Sequence, residues 1–460
     1  MSAECSGIQL ALQPLGRRPL VARFDAAPIT SDGGAVLLRE VDRRIHLLGR
    51  MAGCFVDHRD PGRIQHSLVE LVSQRVLGLA LGYEDLNDHD RLREDALLGV
   101  VVGRTQPGRA LAGKSTLNRL ELTPEDADAS HRYKKVVAQQ AALDDVLIDV
   151  FVEAHRTPPE RIWLDLDATD DPLHGAQEGR FFHGYYGHYC YLPLYIFAGE
   201  HLLCARLREA NVDAAAGAVD ELERIIGRIR QVWPQVQIVI RGDSGFCRED
   251  LMAWCEANGV DYLLGLAKNP RLVDAIAEAL ERVATRYQET GKAARELIEL
   301  RYRTRESWSR ERRVVGKAEH LAKGPNPRFV VTSLALAEVN AQVLYEDLYC
   351  ARGDMENRIK EQQLMLFADR TSAHTLRANQ LRLYFASFAY VLLAALRRLG
   401  LAGTALAHAQ CDTLRLKLLK IGAQLKLSVR RLYLSLSASY PYQALFAQVY
   451  ANLQRYPLRC

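Results

Sequence analysis

Apolar residues recur at intervals of three and four through "HSLVELVSQRVLGLALG" (66–82) and "KKVVAQQAALDDVLIDVFVEAH" (134–155), a spacing that lines one face of a helix. Residues 1–155 therefore read as mainly helical after an irregular start, and "RTPPE" (156–160) reads as a linker. The period changes at "RIWLDLDAT" (161–169), where Ile162, Leu164 and Leu166 alternate with Trp163, Asp165 and Asp167, as in a strand. "YYGHYCYLPLYIFAG" (185–199) and "EHLLCARLREA" (200–210) predict two more strands that turn at Gly199-Glu200. "DAAAGAVDELERIIGRIRQVW" (213–233) predicts a helix entered at Asp213, and "QIVIRGDSGF" (237–246) a short buried strand ending in a turn. "REDLMAWCEANG" (248–259) is a helix stopped by Gly259, and "VDYLLGLA" (260–267) is a fifth strand. This order predicts a mixed α/β sheet, its first three strands antiparallel and the later ones parallel, with helices on its faces.

Beyond it, "NPRLVDAIAEALERVATRYQET" (269–290) predicts a helix. "ARELIELRYRTRESWSRERRVVGKAEH" (294–320) alternates and is laced with charge, like an exposed antiparallel strand set. "RFVVTSL" (328–334) and a helix containing "YCARGDMENRIKEQQLMLF" (349–367) close this part of the chain. The longest apolar run, 384–396, is bounded by Arg382 and by Arg397-Arg398; it is too short for a membrane span and reads as a buried helix. With 460 residues, two or three domains are expected: a helical region 1–155, a central α/β region 156–372 and a C-terminal region 373–460.

Composition is that of an ordinary soluble protein. Nine cysteines without a Cys-x-x-Cys pair, and an N-terminus unlike a signal peptide, point to reduced thiols in the cytoplasm. The net charge of +4 hides an asymmetry: residues 373–460 hold twelve Lys or Arg against one acid, Asp412. A one-signed field on a folded segment favours a polyanion, and nucleic acid above all. Arg415, Lys417, Lys420, Lys426, Arg430 and Arg431 suit phosphate contacts, and six such contacts give a logarithmic salt slope of about −5.

The candidate chemistry lies in acids. Asp167 ends the first predicted strand and Asp243 follows the fourth; these strands are neighbours in the implied sheet, so acids 76 positions apart would meet. Glu356 supplies a third, on a helical face shared with Tyr349, Arg352 and Lys360. Asp165 points to the same face as Asp167 and is an alternative first ligand, and Asp170 and Asp171 are further candidates. Taken singly, such acids are as readily turn residues or members of solvated ion pairs. Together they suit hard divalent cations and two-metal phosphodiester chemistry, which needs no covalent nucleophile.

The stretches "LDLDATDDPLHG", "GRFFHGYYGHYCYLPLY", "IVIRGDSGF", "RGDMENRIKEQ" and "TLRLKLLKIGA" resemble DDE transposases of bacterial insertion sequences. That resemblance implies a ribonuclease-H-like core with a strand-rich insertion at about 288–335, and Asp167, Asp243 and Glu356 as the metal-binding triad. It implies two Mg²⁺ ions, with Mn²⁺ able to substitute, and double-stranded DNA as partner, both the terminal inverted repeats and the target. It also implies a homodimer on paired ends in the nucleoid, and no membrane. Tyr349, Arg352 and Glu356 fit a Tyr-x2-Arg-x3-Glu-x6-Lys signature, but Gln363 stands at the lysine position, with Lys360 one turn earlier. Trp308 is placed to stack on a flipped base or, more simply, to pack within the insertion. His174, His183 and His188 read as structural or phosphate-contacting.

A competing motif is "GRALAGKST" (108–116), which fits the nucleotide-binding G-x-x-x-x-G-K-[ST] pattern. A working version needs a strand before the loop and a sizeable helix behind it. The segment before it fits a helix, and only seven or eight residues precede Thr123-Pro124, so a basic loop and short helix touching DNA backbone is the expectation.

Overall fold

The structure, a computed structural model, describes residues 8–24, 29–104, 109–428 and 430–458. An exposed hairpin, β1 (Gln9–Leu15) and β2 (Arg18–Arg23), precedes the helices α1 (Ala35–Ile45), α2 (Leu68–Ala80), α3 (Lys114–Glu121) and α4 (Gln140–Ala154). Helix α2 starts where its sequence says it should: Ser67 accepts from Glu70 N–H while the Glu70 carboxylate accepts from Ser67 N–H, a reciprocal cap.

The central sheet begins with β3 (Arg161–Ala168), β4 (Leu194–Ala198) and β5 (His201–Arg206). It continues after α5 (Ala218–Val232) with β6 (Gln237–Gly242), α6 (Glu249–Ala257) and β7 (Asp261–Leu266). Then come α7 (Ala277–Thr290), β8 (Ala294–Tyr302), β9 (Arg312–Leu321) and β10 (Arg328–Thr332). The spatial order is β5-β4-β3-β6-β7-β10-β9-β8, with a two-residue strand, Gly324–Pro325, pairing β9. As the element order implied, β3, β4 and β5 are antiparallel, and β6 lies parallel to both β3 and β7.

Two local expectations are corrected. Residues 185–199 do not form one strand: His188–Tyr191 joins a small sheet beside the site, and β4 starts only at Leu194. Pro193, which lacks an N–H, marks the break. The strands of the predicted insertion are not an exposed layer of their own; β10 pairs with β7, and β9 and β8 follow, so they widen the central sheet. Of the two readings of Trp308, the simpler one holds: it is buried, edge-on to Tyr302 at 5.7 Å, with Arg312 over its ring, and packs within the segment instead of being presented to a base.

The helix around Glu356 is irregular. A π-helical turn, Val343–Tyr349, runs through a 3₁₀ turn into α8 (Gly353–Lys360) and out into a second π turn, Glu361–Met365. Such turns recur at functional sites, where they re-aim side chains. Helix α9 (Leu376–Gly400) contains the long apolar run and passes, by length and composition, for a membrane span; here it is the almost wholly buried axis of the molecule. Its Gln380 bonds Ala205 and Leu207 on the sheet edge, and its Tyr384 donates to Asp144 on α4 at 2.6 Å. N-terminal helices, one sheet face and the C-terminal helix α10 (Gln443–Leu453) share one apolar core, while α5, α6 and α7 cover the other face.

Candidate active site

The parallel pairing of β3 and β6 sets the site. Register places Arg241 directly beside Asp165, and the side chains meet in a two-pronged ion pair at 2.6 and 2.8 Å. Arg241 also donates to the Leu348 carbonyl and lies over the Trp163 ring. Asp165 is therefore spent on holding β3, β6 and the Tyr349 turn together. Asp167, two residues on and on the same face, is the carboxylate left at the strand end. Asp243 follows β6 and accepts from Gly245 N–H at 2.8 Å, starting a short turn that fixes its side chain.

Glu356 arrives on α8, half exposed, and Arg352 joins the two segments. Its guanidinium stands 3.8 Å from Asp167 and 3.4 Å from Glu356, and one of its terminal nitrogens is buried without a hydrogen-bond partner. Burial pushes the Asp167 carboxyl up to about 6 from its ordinary 3.8; Arg352 opposes this, and the charges of Asp243 and Glu356 add to it. Asp167 thus lies within the field of an acid from the β6 turn and of one from α8. Among the described residues, no three His, Cys, Asp or Glu side chains stand as a closed metal cluster, and Arg352 lies between two of these acids. Their chemistry fits a hard cation nonetheless: oxygen donors only, one of them held uncomfortably ionised beside two like charges.

Tyr349 reaches the same place from the π turn. Its hydroxyl lies 2.6 Å from where a Cβ on Gly265 would be, and the backbone of Asp243 and Ser244 stands at 3.1 and 2.9 Å. Gly265 of β7 is thus a site residue that periodicity could not reveal: only a missing side chain lets Tyr349 and the Asp243 turn close on the sheet. Gln363, at the lysine position of the signature, donates to the Asp171 carboxylate at 2.7 Å and to the Asp170 carbonyl at 3.1 Å, tying the helix to the loop after β3. In that loop His188 bonds Asp170 at 2.7 Å and the His183 ring lies tilted against that of Tyr186 at 4.8 Å, a structural arrangement. Lys360 is exposed at the end of α8.

A family model described as Transposase DDE domain group 1 matches residues 12–458. The chain belongs to that family. As a DDE transposase it is an enzyme that acts on DNA. Among solved structures, a cryo-EM structure of a piggyBac transposase synaptic complex with hairpin DNA is similar at a TM-score of 0.40 and 11% identity, over 84% of this chain and 79% of that one. No curated protein matches.

The basic C-terminal residues of this transposase divide into two groups. Arg415 is buried and gives its guanidinium to the Ala80 and Met365 carbonyls and to Asp412, so it fastens the fold instead of facing DNA. Lys420 is held by Asp32 at 2.7 Å above the Tyr83 ring. Lys417, Lys426, Arg430 and Arg431 are exposed around the hairpin β11 (Ala423–Leu427) and β12 (Leu432–Leu436), free to meet a polyanion. The nucleotide-binding pattern fails on its surroundings. A helix, Ala96–Val101, precedes it instead of a strand, Lys114 pairs with Asp90 at 3.1 Å, and the first glycine, Gly108, lies outside the described residues.

Proposed function

We propose that this transposase cuts DNA at the ends of its own element and joins the exposed 3′ end to a target strand, with Asp167, Asp243 and Glu356 as the acids that hold divalent cations. One observation supports the assignment above the others: a single guanidinium, that of Arg352, stands 3.8 Å from Asp167 at the end of β3 and 3.4 Å from Glu356 on α8, so the helix brings its acid to the strand end. Two Mg²⁺ ions, replaceable by Mn²⁺, would supply activation of the attacking oxygen and stabilisation of the leaving one. In the first step a water oxygen bonds to phosphorus and gives up a proton to solvent, while the bond to the 3′ oxygen breaks and that oxygen takes up a proton to become a 3′ hydroxyl. In the second, that hydroxyl's oxygen bonds to a target phosphorus and releases its proton, and the displaced 3′ oxygen of the target strand takes one up.

Arg352 is suited to pass from the carboxylates to the scissile phosphate, which its fork can grip with two donors. Tyr349 and Lys360 flank that phosphate path, with Lys417, Lys426, Arg430 and Arg431 holding DNA backbone further out. The working form is a homodimer on paired ends in the nucleoid. Labelled element-end DNA incubated with Mg²⁺ tests the reading: joined products support it, nicks alone reduce the protein to a hydrolytic nuclease, and binding without cleavage overturns it. Asp243→Asn and Glu356→Gln should each abolish both products.

A further inference from the structure

A second cationic site lies in the N-terminal region, away from the triad. A cleft of about 190 Å³ opens between α3 and the segment before α4, and Arg59, Arg63, His66, Arg119, Tyr133 and Lys135 line it. Among the described residues no Asp or Glu lines it. Arg59 and Arg63 are answered from behind by Asp57 and Asp60. Arg119 and Lys135 have no carboxylate within ion-pair reach among the described residues; Lys135 donates only to the Ala129 carbonyl. The larger opening on the other side of α3, about 470 Å³, shares Arg119 but is balanced, since its Lys114 pairs with Asp90 and its Arg370 with Glu84. The uncompensated charge therefore belongs to the smaller cleft.

Tyr133 gives that charge a fixed shape. Its exposed ring carries the Arg119 guanidinium at 4.7 Å and that of Arg132 at 4.8 Å from its centre. A guanidinium resting on an aromatic ring is held without being neutralised, so less freedom is lost when it grips an anion. Helix α3 is about 12 Å long, a span of several base steps at about 3.4 Å rise. An isolated phosphate would use one corner of such a wall; a duplex backbone uses its length.

We propose that this cleft is a sequence-independent clamp for the backbone of double-stranded DNA, with Arg119 and Lys135 on phosphates and Tyr133 as the residue that positions Arg119. The proposal rests on the transposase reading only for its occupant. Its test uses the full-length chain and measures duplex affinity against salt, for the element's end sequence and for a scrambled duplex of equal length. Arg119→Ala with Lys135→Ala should make the logarithmic slope shallower by about two and weaken binding about 60-fold at about 0.1 M salt, equally on both duplexes. Arg119→Lys with Lys135→Arg should keep the slope, and Tyr133→Ser should weaken binding while Tyr133→Phe does not. An unchanged slope in the double alanine variant overturns the clamp. So does a loss confined to the element's end, or micromolar ATP binding lost in that variant while its DNA slope holds. The triad is judged separately: Asp243→Asn should cut nothing, and its cutting would sink the triad assignment without touching the clamp.

Discussion

Replacing Asp167 by Asn should stabilise the folded protein while destroying its activity, and the gain should depend on pH in a calculable way. The carboxyl is raised from 3.8 to about 6 on folding. A raised acid loses stability as pH climbs from its unfolded value through its folded one, so ionised Asp167 costs the protein nothing below pH 3.8 and its full amount above about pH 6. At about 1.36 kcal/mol per tenfold in proton affinity the full cost is about 3 kcal/mol, and at pH 5 it is about 1.6 kcal/mol. Asn is neutral throughout, so the variant should exceed wild type by about 3 kcal/mol at pH 8 and by half that at pH 5. An unfolding entropy of about 2.1 cal/mol/K per residue over this chain makes 3 kcal/mol about 3 °C in Tm if it unfolds as one unit. Calorimetry from pH 5 to 8 without divalent cations measures the gap. Mg²⁺ at a hundred times its dissociation constant should stabilise wild type by about 2.7 kcal/mol and leave the variant where it was. A variant less stable than wild type at pH 8, or a gap that ignores pH, would refute the argument that three like charges share this site.

Other consequences follow from the same contacts. Arg241→Ala strands the buried Asp165 carboxylate and should cost about 3–5 kcal/mol in urea unfolding, most of it recovered in Arg241→Met with Asp165→Leu; an equal loss in both variants would mean the pair is not coupled. Gly265→Ala should lose about 1–3 kcal/mol by overpacking and cut DNA joining at least tenfold, because Tyr349 and the Asp243 turn must both retreat; Tyr349→Phe should recover only part, since the Ser244 backbone still blocks the new methyl. Burial pushes Asp171 up to about 8 from its ordinary 3.8, so wild-type Tm should fall as pH climbs from about 4 to about 8 and level off once the folded acid ionises. Gln363→Lys, restoring the signature, puts a cation against it and should flatten that fall; a steeper one would show that the introduced ammonium turns elsewhere.

What the sequence discloses about this molecule follows the range of each signal. The strand ends at Asp167 and Asp243 are legible because alternation is local and strand order limits which ends meet. Alternation cannot separate Asp165 from Asp167, which share a face; what distinguishes them lies across the sheet, where register sets Arg241 against Asp165 and leaves Asp167 to Arg352. The excess of basic residues in the C-terminal region is equally plain, but a count does not know which guanidinium is buried. Arg415 is drawn inward by carbonyls at Leu79 and Ala80, more than 300 positions away, and a sequence window holds no trace of that meeting. Gly265 is silent for a related reason: its importance is the space it leaves for Tyr349, a property of the partner. The glycine-lysine motif misleads in the opposite direction, since its letters are local and complete while the strand that would give them meaning is absent from the segment before it. Residues that bear chemistry can be found by pattern, but the residues that hold them in place are fixed by neighbours the pattern does not contain. For this transposase the decisive neighbours are Arg241, Gly265 and Gln363, and the substitutions above test them.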